Sequence, residues 1–377
     1  MSLCTVLLVA GAGLVATAGS ADATPPSPVV GHTYVNDNSA GANTVTAFDR
    51  HADGSLTPIP GSPFAVGGAG AGTGLGSQGA IQASPDGRYL LAVDAGSNEI
   101  SVIRVSGHGV PKRVGAPVSS GGVRPVSIAI NHAGLVFVAN VGAGGSNYAG
   151  FLLTPGGHLI PLPQATFPVP EGSGVGDVLF NSTGDRLVGT RDNPSLIDTF
   201  SVRADGRLVP APGSPFAAQD LGPIGAEFRP TNPSQLYVSN AHAGPGNGTV
   251  SAFHVAPDGV LTSIGNSPVR DEQSAPCWVE ISHDGRYLFA VNTASANLSR
   301  YAIQPDGALV LLGSTPFRNG VGAVDARLSP DGTTLSVTGG RGLVVSTFAV
   351  HGGDVTELPS SPVALPAGTA PTGIVVL

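Results

Sequence analysis

Apolar and polar residues alternate along the chain in short runs that end at glycine-containing turns. Counting back from these turns, one set of positions is apolar each time: Ile81 and Ala83, Ile128 and Ile130, Val178 and Phe180, Ala226 and Phe228, Val279 and Ile281, Ala326 and Leu328. A period of two predicts a β-strand with one buried face. The intervening set is Ala80 and Gln82, Ser127 and Ala129, Asp177 and Leu179, Gly225 and Glu227, Trp278 and Glu280, Asp325 and Arg327. A purely structural face would not carry five charges, so this set is expected to reach a central, wetter space.

The turns that close these runs read Ser84-Pro85-Asp86-Gly87, Ser282 to Gly285 and Ser329 to Gly332, with looser copies at Asn131 to Gly134 and Asn181 to Gly184. Glycine supplies the positive φ such turns need. In the second repeat the next strands are expected at Tyr89 to Val93, Glu99 to Val105 and Val110 to Val118. A second turn falls at Gly54, Gly109, Gly157, Gly206, Gly259, Gly307 and Asp354, in steps of 47 to 55 residues. Six residues before it stands Phe48, Phe151, Phe200, Phe253, Tyr301 or Phe348, with Ile103 in the second repeat. Seven units of four short strands at this period predict an all-β, seven-bladed propeller spanning 29–377 as one domain.

The two ends of the chain complement each other. Pro371 to Leu377 repeats the inner-strand pattern of Pro125 to Asn131, whereas the first repeat begins directly at Thr33-Tyr34-Val35-Asn36. The C-terminal strand is therefore expected to complete the N-terminal blade and close the ring. Pro63, Pro215, Pro268, Pro316 and Pro362 each follow Ser or Thr. They are expected in outer strands, at exposed edges where a missing N–H is tolerated.

Composition refines this picture. Gly 55 and Pro 33 are turn punctuation, because hydrophobic residues still make up 41% of the 377. Charged residues are 11% and the formal net charge is −8, which argues against nucleic acid or an anionic membrane surface as partner. Leu3 to Ala18 is apolar and small, and Ala21-Asp22-Ala23 fits an A-x-A cleavage site. Residues 1–23 thus read as a secretion signal peptide and 24–28 as a short linker. The mature protein is expected to be secreted or cell-wall associated, monomeric and free of the membrane. Loss of Cys4 with the signal leaves Cys277, which cannot form an internal disulfide. No His, Asp or Glu spacing suggests a metal, Asn36-Asp37-Asn38 being the nearest approach, and no cofactor is expected.

The run Pro85-Asp86-Gly87-Arg88-Tyr89-Leu90 and the Gly-Ser-Leu or Gly-Arg-Leu starts of outer strands resemble a known family. It is the seven-bladed lactonase family, which includes 6-phosphogluconolactonase and fungal carboxymuconate-lactonizing enzyme. The resemblance covers roughly residues 28 to 377. Tyr237-Val238-Ser239-Asn240 and Leu288 to Asn292 also resemble YVTN-type surface propellers. The lactonase resemblance implies a channel His near Ser77 or Gly79, a Glu at Ala241 and an Arg at Thr293, so any chemistry here must use other residues.

Those residues follow from the charged face. Glu280 or Glu227 is the expected catalytic base, with Arg327 stabilising the oxyanion of a lactone or related sugar-acid ring under attack. The other reading is an ion network lining a water-filled channel of a non-catalytic module that binds a glycan, a metabolite or a surface protein. Strand starts and the loops joining second to third strands share one end of a propeller, taken as the site end. It gathers Asp94, Asn140, Arg191, Asp192, Asn240, His242, Asn292 and Arg341, and includes the Gly-rich loops Gly67 to Gly76, Gly142 to Gly145 and Gly244 to Gly248. The expected ligand contacts are Trp278, Asp177, Asp325, His242, Arg191, Asn240 and Asn292, around a small molecule or glycan at the channel mouth. Cys277 has no histidine near it in sequence and reads as a small buried hydrophobe.

Overall fold

The computed structural model describes residues 27–318 and 322–377. The expected signal peptide and the first residues of the linker lie outside them. Seven antiparallel sheets form, each a meander of four strands running outward from the centre. Blade 1 comprises Val29–Asn36, Thr44–His51 and Leu56–Pro58, and its inner strand is Thr372–Val376 from the other end of the chain. Thr33 pairs with Val376, Tyr34 with Val375 and Val35 with Ile374, so the C-terminal strand closes the ring as the repeat pattern requires. Backbone hydrogen bonds between His32 and Leu377, 2.8 Å in both directions, extend the pairing.

The inner strands of blades 2 to 7 are Ile81–Ala83, Pro125–Ile130, Val175–Phe180, Pro223–Arg229, Pro276–Ile281 and Ala323–Leu328. Their alternating apolar residues, with those of the second and third strands, fill the spaces between neighbouring blades. Between blades 6 and 7, for example, Phe289 and Val291 pack with Leu335, Val337 and Phe348, all at most 1% exposed. Apolar packing of this kind between sheets, with no disulfide among the described residues, is what holds the ring. Cys277 is free and buried within the same cluster.

The Ser-Pro pairs are placed differently from the expectation that they sit inside outer strands. In six blades the outer edge is split into a strand and a separate two-residue segment that pairs back onto the third strand. Pro63, Pro215 and Pro268 precede those segments at the break, as does Pro362. The preceding serine hydroxyl accepts the third-strand N–H: Ala47 to Ser62 at 2.9 Å, Thr199 to Ser214 at 3.0 Å, Ala252 to Ser267 at 2.6 Å and Thr347 to Ser361 at 2.9 Å. The hydroxyl thus satisfies a backbone donor where the ladder is interrupted. Pro316 alone ends a continuous outer strand, Leu309–Pro316.

Candidate functional site

An inner propeller strand is an edge strand, and its channel-side N–H groups have no neighbouring strand to bond. Acidic side chains from the preceding blade supply the acceptors. Asp177 in blade 4 accepts from the Ala226 N–H of blade 5 at 3.1 Å and from the Ser127 hydroxyl of blade 3 at 3.0 Å. Glu227 in blade 5 faces the Ile281 N–H of blade 6, which favours its ionised form. Glu280 in blade 6 accepts from the Leu328 N–H of blade 7 at 2.8 Å. In blade 3 the same task falls to Ser127, whose hydroxyl accepts from the Val178 N–H at 3.2 Å.

One end of the central space is closed. The segment Ser77-Gln78-Gly79, between blades 1 and 2, crosses it and bonds to blades far away in sequence. The Trp278 indole N–H donates to the Ser77 carbonyl at 2.9 Å, and the Gln78 side-chain amide donates to the Val279 carbonyl at 2.9 Å. The Gln78 N–H donates to the Gly176 carbonyl at 2.9 Å, and the Gly79 N–H to Asp325 at 3.3 Å. Gly225 permits the crossing: a Cβ there would lie 2.4 Å from the Gln78 side-chain oxygen. This plug lies at the end expected to carry the site.

The open cavity lies at the opposite end, beneath the turns joining first to second strands. It has a volume of about 390 Å³. Its floor is Gln78, its polar wall Gln82, Asp177, Glu227 and Arg327, and its apolar wall Ala129, Leu179, Phe180 and Phe228. Pro85, Asn131, His132, Asn181, Ser182 and Pro230 surround the mouth. Arg327 reaches in from blade 7 with its side chain 26% exposed, and its guanidinium faces Glu280 at 3.4 Å. Among the described residues that guanidinium makes no hydrogen bond, whereas the buried Arg191 and Arg229 each spend several.

Burial dominates the electrostatics here. It pushes Asp177 and Asp325 up to about 7, against the hydrogen bonds each accepts. Glu227 is driven well above the ordinary carboxylate range, first by burial and then by the charge of Glu280, with Arg327 only partly opposing. Glu280 is raised by burial too, and is eased back by Arg327 and the Leu328 N–H. Burial opposes the charge on Arg327, but Glu280, Asp325, Glu227 and Asp177 together hold it protonated. One permanent cation therefore stands among four carboxyl groups that resist ionising.

The sequence-derived candidates divide accordingly. Glu227, Asp177 and Arg327 line the cavity, and Glu280 sits behind Arg327, 3% exposed. Trp278 and Asp325 belong to the plug's anchorage, 3% and 0% exposed, and do not line the cavity. Arg191 is locked to Asp198 by two bonds of 2.6 Å, to which Tyr148 adds a third contact. Asn240 donates to Thr249 and Ser251, and Asn292 to Asn297 and Ser299, so both amides tie a second strand to a third. His242 is exposed beside Asp192 at the plugged end. Burial pushes the Cys277 thiol up to about 11, consistent with an inert packing residue. Gln78, Gln82, Asn131 and Asn181 were not singled out by sequence as site residues. The only signal for the plug was the length of the Gly-rich segment leading into it.

Residues 228–369 match the family model described as lactonase, seven-bladed β-propeller. A search of curated proteins by sequence returns no match. Among solved structures, a protein from Lactobacillus plantarum is similar with a TM-score of 0.74 at 16% identity, covering 92% of this chain and 99% of that one. A Bacteroides uniformis protein, named provisionally as a 6-phosphogluconolactonase, gives 0.73 at 18% identity, with 92% and 99% covered. The periplasmic gluconolactonase of Pseudomonas aeruginosa gives 0.68 at 19% identity, again with 92% and 99% covered. At these identities the structural likeness speaks for the fold, and the family match speaks for the later blades. Residues 228–369 match the lactonase family model, and over its described length the chain is a seven-bladed β-propeller similar in fold to these structures.

Proposed function

We propose that the protein is a lactone hydrolase whose reaction takes place in the cavity between Arg327 and Glu227, and that it acts outside the cytoplasm as a monomer after loss of residues 1–23. The observation that carries this reading is the unspent guanidinium of Arg327, held beside a carboxyl that is hard to ionise. A donor fork turned into the cavity with no hydrogen bond made suits an oxygen that gains negative charge as a carbonyl is attacked. Glu227, raised above the ordinary carboxylate range by burial, is a stronger base than an ordinary carboxylate once it has ionised. It takes a proton from water as the water oxygen bonds to the carbonyl carbon, and returns that proton to the ring oxygen as the ring C–O bond breaks. The product is the open hydroxy acid, and no cofactor enters the balance. Glu280 holds the guanidinium in place from behind and takes no part in proton transfer.

The test is a pH-stat assay against a panel of γ- and δ-lactones. Glu227→Gln keeps an acceptor for the Ile281 N–H and should lower kcat by about 100-fold or more, the usual scale of a general base. Turnover that survives in both Glu227→Gln and Arg327→Met would remove the reaction from this cavity. The non-catalytic reading draws support from the same carboxyls, because Asp177, Glu227 and Glu280 already serve as staples between blades. Calorimetric binding of lactones without turnover would favour it.

A further inference from the structure

We infer that the cavity takes an uncharged, hydroxyl-rich lactone and rejects the phosphorylated form of the same ring. This rests on the lactone reading above and specifies its substrate class. Arg327 is the one guanidinium lining the cavity, and it already faces Glu280 at 3.4 Å. Three more carboxyls, Asp177, Glu227 and Asp325, lie close enough to act on its charge. No lysine can come to the aid of a phosphate. The sequence has a single lysine, Lys112, which lies exposed on the outer strand Pro111–Arg113 of blade 2. His132 at the mouth is the only other basic residue lining the cavity, and it stands among the exposed turns.

Phosphate recognition ordinarily uses several charged or backbone donors, with Arg offering a bidentate fork. Here a dianion would meet a single guanidinium that already faces Glu280 and, among the described residues, no second cation within the cavity wall. A neutral ring meets no such penalty. Its hydroxyls can bond to the Gln82 side-chain amide and the Ser182 hydroxyl, and its C–H face can lie on Leu179 and Ala129.

The experiment compares D-glucono-δ-lactone with its 6-phosphate by pH-stat at neutral pH, using the whole mature chain. Desolvating the dianion with no second cation to meet it is expected to make kcat/KM for the phosphate ester lower by roughly 100-fold. Glu280→Gln removes one negative charge and keeps an acceptor for the Leu328 N–H, and should narrow that ratio by about 10-fold. Equal or better use of the phosphorylated lactone would overturn the inference and leave the hydrolase reading standing. Calorimetry with D-gluconolactam and its 6-phosphate separates the two claims when neither lactone is turned over. Preference for the neutral lactam then supports this inference while the hydrolase reading falls. Preference for the phosphate, or binding of neither, overturns it.

Discussion

Trp278 anchors the plug, and Trp278→Phe isolates that role. The substitution keeps an aromatic ring in a core site that is 3% exposed and removes the N–H that donates to the Ser77 carbonyl at 2.9 Å. Ser77 is 1% exposed, so its carbonyl cannot turn to bulk water without the plug moving. Leaving one buried acceptor without a partner costs about 1–3 kcal/mol. If that cost falls on the closed plug alone, local opening becomes about 5- to 150-fold more frequent, since each 1.4 kcal/mol is a factor of ten. Hydrogen exchange followed by mass spectrometry reads this directly, because the Gln78 and Gly79 amides are bonded to Gly176 and Asp325 across the closed end. Faster exchange is expected in a peptide covering residues 70–82, with little change in the strand Leu196–Val202, which makes no bond to the plug. Phe289→Leu, in the same core cluster and without contact to the plug's hydrogen bonds, serves as the control and should act globally. Equal acceleration across all peptides in both variants would refute a locally latched plug.

Three further outcomes follow from the same geometry. Ile374 is fully buried in the closing strand, so Ile374→Ala should cost about 2–5 kcal/mol in denaturant melts. Ile160→Ala, at a site 46% exposed, should stay within about 0.5 kcal/mol, and similar losses for the two would refute the ring-closing role. Asp177 and Asp325 bind protons more tightly folded than unfolded, so their contribution to stability falls as pH rises from about 4 to about 7. Urea melts across that range should show the decline, and Asp177→Asn should flatten it. Breaking the buried Arg191–Asp198 pair with Arg191→Met should cost about 3–5 kcal/mol and leave lactone KM unchanged. A raised KM at intact stability would restore Arg191 as a ligand contact.

The fold was legible because each blade repeats its own physics: a period-two strand, a glycine turn, an aromatic at a fixed offset. Even the ring closure could be read, since the first repeat lacks the strand that the last residues supply. The candidate site was legible only as a face. Glu227, Asp177 and Arg327 were found by asking which strand positions were not apolar, but which end of the channel is open depends on Ser77 and Gln78. Their partners Trp278 and Val279 lie 201 residues away, beyond any local pattern. Arg191 and Asn292 were misjudged for a different reason, and the missed signal was present. Asn36 and Asn43, Asp94 and Ser101, Asn140 and Asn147, Arg191 and Asp198, and Asn292 and Ser299 each stand seven apart and bond to each other. A polar pair recurring at that spacing across the turn joining second and third strands ties one to the other, whichever member carries the charge.

The position of Arg327 explains why the open cavity presents a cation. Along the lower level of the inner strands, Glu227 faces an N–H of the following blade and Glu280 accepts one. The next residue at that level is Arg327, and a guanidinium has donors only. It cannot continue the run of staples, so its hydrogen-bonding capacity is left over and turned into the cavity. Its charge is nevertheless retained, because the staples behind it are acids. The carboxyls that fasten the blades thus also fix the guanidinium turned into the cavity, and a substitution at Glu280 must disturb both.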